Sequence, residues 1–132
     1  MVMSGNLDDL IGKMVKAISI DNDELDITVT DGEKDYRYGI RHFQDCCESV
    51  SLVKTDGSLY DAVGKVITDV SAYSDSINGN GEGTRSVYRI EWKGEDGLEE
   101  SLWLEWRGYS NGYYSEGVSF FEYREDGTYS YW

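Results

Sequence analysis

The run His42-Phe43-Gln44-Asp45-Cys46-Cys47-Glu48-Ser49-Val50-Ser51 concentrates the chain's only histidine, both of its cysteines, two carboxylates and an amide. Three chemistries are open to such a set. As metal ligands, His42, Asp45, Cys46, Cys47 and Glu48 offer imidazole, thiolate and carboxylate groups that suit zinc. Adjacent cysteines on a strand point to opposite faces, however, and the usual two-residue spacer between cysteine ligands is missing. As a nucleophile, Cys46 or Cys47 needs His42 as base and Asp45 to orient the ring. No glycine-rich oxyanion turn or helix N-terminus follows the thiols. The third reading is a structural corner, in which one cysteine packs inward, the other sits at a bulge, and Asp45 and Glu48 accept from local backbone amides. That reading carries the most weight, so no catalytic residue, no metal and no cofactor is expected.

A second set lies towards the C-terminus. Ser110-Asn111-Gly112 is turn chemistry, and Tyr113 and Tyr114 leave it on opposite faces. With Trp103, Arg107 and Tyr109 nearby, these residues offer an aromatic and cationic platform for a base, a sugar or a partner's side chain. The competing expectation is that the rings are core and cross-strand pairs. This segment also echoes the first run: Glu48, Val50 and Ser51 match Glu116, Val118 and Ser119, each 68 positions on. The echo has tyrosine and serine where the thiols fall, which favours a repeated corner over a reactive centre. If the two corners meet, their residues line one surface, so the candidate binding residues are His42, Asp45, Cys46, Cys47, Glu48, Trp103, Arg107, Tyr109, Asn111, Tyr113 and Tyr114. Gly79-Asn80-Gly81-Glu82-Gly83 is a poor phosphate loop, because Glu82 repels phosphate and no helix follows.

The elements that position these residues read mainly as strands. Asn6 to Lys13 predicts one compact helical turn, with Asn6 as N-cap, acids at its positive end and Gly12 past its end. Met14 to Ile20 predicts a strand, and Leu25, Ile27 and Val29 alternate with Asp26, Thr28 and Thr30. After the Asp31-Gly32 turn, Tyr36, Tyr38, Ile40 and His42 share a face opposite Arg37 and Arg41. Val50 and Leu52 carry a fourth strand. Ser58 to Lys65 then repeats the opening pattern: Leu7 and Leu59, Asp9 and Asp61, Gly12 and Gly64, and Lys13 and Lys65 each stand 52 positions apart. Strands follow at Val66–Tyr73, around Tyr88, Ile90 and Trp92, and around Leu102, Leu104 and Trp106, with a flexible Ser74–Gly83 loop between the first two. A last turn at Asp126-Gly127 returns Thr128 to Tyr131 as an edge strand. The expected fold is one α+β, β-dominated domain over residues 1–132. It is built from two degenerate repeats, about 6–56 and 58–132, each a short helix with about four antiparallel strands, forming a bent sheet or two packed sheets.

Composition supports a small folded domain. The chain has 132 residues, 39% hydrophobic and 14% aromatic, which is enough for a core. Its 11 tyrosines lean towards strands, and 15 glycines with no proline suit many tight turns. With 26 acidic against 12 basic side chains the net charge is −14. That charge repels nucleic acid and anionic membranes and attracts basic protein surfaces. Vicinal cysteines rarely close a disulfide, so two free thiols in a reducing cytoplasm are expected. No signal peptide opens the chain and no apolar run is long enough for a membrane helix.

Three pieces, Leu10-Ile11-Gly12-Lys13, Gln44-Asp45-Cys46-Cys47-Glu48-Ser49-Val50 and Ser110-Asn111-Gly112-Tyr113-Tyr114-Ser115-Glu116, resemble a family of small uncharacterised proteins found mainly in bacteriophages and prophages. The likeness spans most of the chain. It departs where family members carry a second helix rich in Leu and Asp and a longer acidic stretch, shortened here to Ser58–Val63. The resemblance implies a phage accessory protein, working in the cytoplasm of the bacterial host, and no settled activity.

The leading expectation is therefore a non-enzymatic acidic protein that binds and inhibits a host protein. A defence or nucleic-acid-processing enzyme is the suggested target, approached by charge mimicry through Asp21, Asp23, Glu24 and Asp26 or Glu95, Asp96, Glu99 and Glu100. The alternative is a small-ligand, nucleotide-like binder that uses the aromatic platform, and the second alternative is a thiol or metal-binding protein. Direct nucleic-acid and membrane partners are not expected.

Overall fold

A computed structural model describes residues 6–43, 48–77, 83–110, 117–123 and, for the backbone alone, 129–131. Period-two alternation sets the strands. Leu25, Ile27 and Val29 are buried between half-exposed neighbours in β2 (Glu24–Thr30), as alternation on a half-buried pleat requires. β2 pairs with β1 (Met14–Asp21) and with β3 (Asp35–Arg41), all antiparallel. β3 in turn pairs with β8 (Ser119–Tyr123), and β8 with β9 (Tyr129–Tyr131). The second sheet has the order β4 (Ser49–Asp56), β7 (Glu99–Tyr109), β6 (Thr84–Lys93), β5 (Ile67–Ser76). The molecule is thus β-dominated, with two antiparallel sheets whose inner faces share one core. Leu25, Ile27, Tyr38, Ile40 and Phe120 come from the first sheet, and Ile90, Trp92, Leu102, Leu104 and Trp106 from the second. Each fully buried side chain of this size contributes roughly 1.5–3 kcal/mol.

The expected unit of a helix with four strands does not appear as such. Each helical piece is a single turn, one of 3₁₀ type at Leu7–Leu10 and one α-helical at Leu59–Ala62. Four residues are too few to close a longer helical ladder. Asn6 caps the first turn by accepting from the Asp8 amide at 3.0 Å, whereas Ser58 makes no side-chain cap bond. Each sheet, moreover, takes strands from the other half of the chain: β8 and β9 extend the first sheet beyond β3, and β4 completes the second beside β7.

Where the halves correspond, they do so in atomic detail. The Gly12 amide donates to the Ile67 carbonyl and the Gly64 amide to the Val15 carbonyl, both at 2.8 Å. The Ile67 amide donates to the Lys13 carbonyl and the Val15 amide to the Lys65 carbonyl, both at 2.9 Å. These two pairs of bonds interchange under the 52-residue offset. Gly12 and Gly64 have φ of +87° and +84°, the left-handed region that glycine enters at least cost. β1 and β5 carry a bulge at the matching place, between Val15 and Ala17 and between Ile67 and Asp69. The edge strands of the two sheets are therefore joined along a seam at residues 12–15 and 64–67.

Among the described residues two buried hydrophobic side chains lie outside the shared core, Val87 and Phe121, each 1% exposed. Phe121 lies against Gly39, where a Cβ would stand 2.3 Å from its ring. Phe43 and Tyr123 flank it edge-on at 5.3 and 5.0 Å. Phe121 thus centres a small aromatic cluster on the outer face of the first sheet.

Because no atom lies within 4 Å of a Cβ added at Gly12 or Gly64, alanine there meets only the backbone penalty. Gly12→Ala and Gly64→Ala should each lower unfolding free energy by about 1 kcal/mol, and by matching amounts. Urea melts of the two variants check this, and a cost confined to one of them would break the equivalence of the two turns.

Candidate functional site

His42 follows β3 directly, and Glu48 directly precedes β4. The His42 ring reaches both ways. Nδ1 stands 2.6 Å from the Gly117 carbonyl oxygen and Nε2 2.7 Å from Glu48 Oε2. A carbonyl oxygen only accepts, so Nδ1–H donates to Gly117, and one further proton is held between Nε2 and the Glu48 carboxyl. The His42 side chain is 7% exposed and that of Glu48 is fully buried. Close by, the Tyr88 hydroxyl donates to the Val118 carbonyl at 3.0 Å. Consecutive carbonyls of the 117–118 segment are thus fastened by a side chain at the end of the first sheet and by one from the second. The Gly117 carbonyl lies in the C-terminal echo, so His42 of the first run does meet the echo, but through a buried latch.

This latch changes what the first run can do. Both ring nitrogens of His42 are engaged, by a carboxyl and by a main-chain carbonyl, so neither is open to serve a thiol as general base. Glu48 bonds the imidazole through Oε2, a partner not expected for it. Asp45, Cys46 and Cys47 lie outside the described residues. Among the described residues no group of three or more His, Cys, Asp or Glu is placed to hold a metal ion.

Beside the latch is a recess of about 180 Å³ lined by Asn22, Asp23, Glu24, Arg41, His42, Val50 and Trp106, below the range usual for small-molecule sites. Asn22 and Asp23 turn the β1–β2 hairpin with φ of +50° and +64°, as a two-residue primed turn demands. The Asp23 carbonyl accepts from the Trp106 indole at 2.8 Å and its carboxylate from the Leu52 amide at 3.2 Å. Glu24 pairs with Arg41 at 2.9 Å and Asp26 lies 3.6 Å from Arg37. Three of the four acids expected to imitate phosphate on this sheet are thus engaged within the fold.

Trp103, Arg107 and Tyr109 fall elsewhere. They alternate with the inward Leu102, Leu104 and Trp106 of β7, so they occupy the outer face of the second sheet. Trp103 meets Tyr73 edge-on at 6.4 Å between centroids, and Tyr109 is exposed. Arg107 Nε donates to Glu105 at 3.0 Å. Arg107 stands directly opposite Arg85 in the β6–β7 register, and Arg85 grips Asp75 through Nε and a terminal nitrogen at 3.0 and 2.8 Å. That bidentate bond holds the Asp75 carboxyl below the usual carboxylate range. The Trp103 indole nitrogen is buried and has no acceptor among the described residues. Tyr73 and Arg85 were missed by sequence reasoning; only the β5–β6 and β6–β7 registers bring them beside Trp103 and Arg107. Asn111, Tyr113 and Tyr114 lie outside the described residues. Of the candidates that are described, His42 and Glu48 form the buried latch, and Trp103, Arg107 and Tyr109 form a separate outer strip.

A family model described as Domain of unknown function (DUF7448) matches residues 8–120. The chain belongs to this family. The DUF7448 match runs from the first helical turn into β8 and includes both the latch and the outer strip. No curated protein and no solved structure matches the chain. Among the described residues no helix is long and apolar enough to cross a membrane.

Removing one partner from the latch leaves the other buried and uncompensated. His42→Ala and Glu48→Ala should each cost about 3 kcal/mol or more, against about 0.5 kcal/mol or less for Arg107→Ala on the outer face. Replacing both partners, as His42→Phe with Glu48→Leu, should recover most of the loss. Chemical denaturation of the set checks this, and equal costs for His42→Ala and Arg107→Ala would refute the latch. Burial also pushes the Tyr88 hydroxyl up to about 12, from about 10 in an unfolded chain. Folding then favours the neutral phenol, a contribution intact below pH ~10 and lost as pH rises towards ~12. Tyr88→Phe should flatten the alkaline fall in melting temperature, and an unchanged alkaline profile would contradict this role.

Proposed function

We propose that the protein is a non-enzymatic, phage-type accessory protein that binds and inhibits a host protein through a basic surface of that partner, such as the nucleic-acid groove of a processing or defence enzyme. The observation that carries this reading is the uneven fate of the acidic side chains. On the first sheet Glu24, Asp26 and Asp35 face Arg41, Arg37 and Lys16 within ion-pair distance. At the far end of the second sheet, Asp61, Glu95, Asp96 and Glu100 line an open concavity whose described lining contains a single cation, Lys65. Uncompensated charge at one end gives a directional field that a basic partner reads at long range. The engagement of the His42 ring inside the fold supports a binding role over thiol catalysis. We infer further that the two halves derive from an internal duplication, an idea supported by the hydrogen bonds that interchange under the 52-residue offset.

The outer strip favours a second reading, a small anionic aromatic ligand such as a nucleotide. Arg85 and Arg107 face each other across the register in a chain of net charge −14, each held by a carboxylate, Asp75 and Glu105, that an anionic ligand would compete with. Tyr73 and Trp103 supply ring faces beside them.

Affinity capture from bacterial host lysate should retain a partner at low ionic strength and release it as salt shortens the screening length from about 10 Å at 0.1 M to about 3 Å at 1 M. Glu95→Gln with Asp96→Asn should weaken retention. No retained partner, or retention indifferent to salt, sinks the main reading. A rise in melting temperature with nucleotides that Arg107→Ala abolishes would move the assignment to the second.

A further inference from the structure

The seam between the two sheets carries the most concentrated exposed apolar surface of the described chain. Of its nine exposed large hydrophobic residues, five fall on or beside the seam: Ile11, Met14, Tyr60, Val63 and Val66. The backbone explains the grouping. Met14 and Val66 are bridge partners, and the bonds on either side of them run from Ile67 to Lys13 and from Val15 to Lys65. They therefore form a non-hydrogen-bonded pair, the kind whose side chains approach most closely. Their neighbours Val15 and Ile67 are fully buried, so alternation turns Met14 and Val66 outward together. Ile11 and Val63 stand three residues before them, at the exits of the two helical turns, 41% and 42% exposed. Tyr60, on the second turn, is 90% exposed. Isolated exposed apolar side chains are ordinary, but a contiguous group marks an interaction surface.

The rim identifies the occupant. Asp8 and Asp9 flank Ile11 on the first turn and Asp61 flanks Val63 on the second. The Asp61 side continues into the concavity with Glu95, Asp96 and Glu100. Of the nearby cations, Lys13 donates to the Asp9 carbonyl and lies over the Tyr36 ring, and Lys65 stands among the four acids of the concavity. An apolar centre inside an acidic rim complements a segment with an apolar stripe flanked by Lys and Arg. A second copy is the wrong occupant, since two chains of net charge −14 would set these acidic flanks against their like.

We propose that the Ile11–Met14–Val63–Val66 seam is the docking surface for a basic amphipathic segment of a partner protein, gripped by its apolar side chains and oriented by the acids around it. The proposal rests on the reading of a basic protein partner above and adds where, and by which contacts, that partner is held.

The test uses the full chain with a synthetic amphipathic Leu/Lys peptide, and polylysine as the purely electrostatic control. Titration followed by amide NMR should move resonances of residues 11–14 and 63–66. Met14→Ser with Val66→Ser should weaken peptide binding by roughly tenfold or more, while Val53→Ser on the second sheet leaves it unchanged. If peptide and polylysine bind alike and the seam variant changes nothing, the seam is wrong and the basic-partner reading survives. If neither binds at low salt, both fall. A wild-type dimer in sedimentation equilibrium that the seam variant dissociates would assign the surface to a second copy and overturn the proposal. Should the seam variant fail to fold, the wild-type NMR map decides alone: perturbation centred on residues 11–14 and 63–66 supports it, and perturbation elsewhere overturns it.

Discussion

Four backbone hydrogen bonds between residues 12–15 and 64–67 hold the edge of one sheet to the edge of the other, and much of the architecture follows from that constraint. An unpaired β1 or β5 edge would present a row of open donors and acceptors to any other strand. Joined to each other, the two edges bring the sheets together on one side, so their inner faces can enclose Trp92, Trp106 and the aliphatic side chains between them. The glycines at positions 12 and 64 make the join feasible, because only a left-handed residue directs the chain from a helical turn straight into the pairing.

On the β3–β8 side the sheets are tied by polar groups. His42, Glu48 and Tyr88 fix the 117–118 segment through its two carbonyls, and the Trp106 indole reaches across to the β1–β2 turn. Hydrophobic alternation rejects a one-residue slip, which turns the inner face outward, but discriminates less against a two-residue one. Buried polar groups with single, directional partners do penalise a slipped arrangement. Of the chemically densest run of the sequence, His42 and Glu48 are in this sense spent on specifying the fold.

Much of this was legible in the sequence where the physics is local. The alternation of Leu25, Ile27 and Val29, the inward set Leu102, Leu104 and Trp106, and the Asn6 cap all depend on neighbours a few positions away. The matching Gly-Lys exits were also visible, although one-turn helices and exchanged strands replaced the expected unit of a helix with four strands. The latch was out of reach, because His42 lies far from Gly117 in the chain and nothing local reveals that contact. The outer strip was half visible: Trp103 and Arg107 alternate on β7, but Tyr73 and Arg85 join them only through strand registers. Nothing local marks Gly39 either, where the Phe121 ring fills the place of a side chain.

The crossing of β4 into the second sheet and of β8 and β9 into the first has a kinetic side. Had each half completed its own sheet, short closures would have sufficed and one half could have stood while the other formed. As it is, the first sheet waits for Ile40 to find Phe120 and the second for Ser49 to find Tyr109. Such distant closures lose chain entropy before any contact compensates for it. A ribosome releasing this chain in order must hold β3 without its β8 partner until Phe120 has emerged, so neither sheet closes on the first half alone.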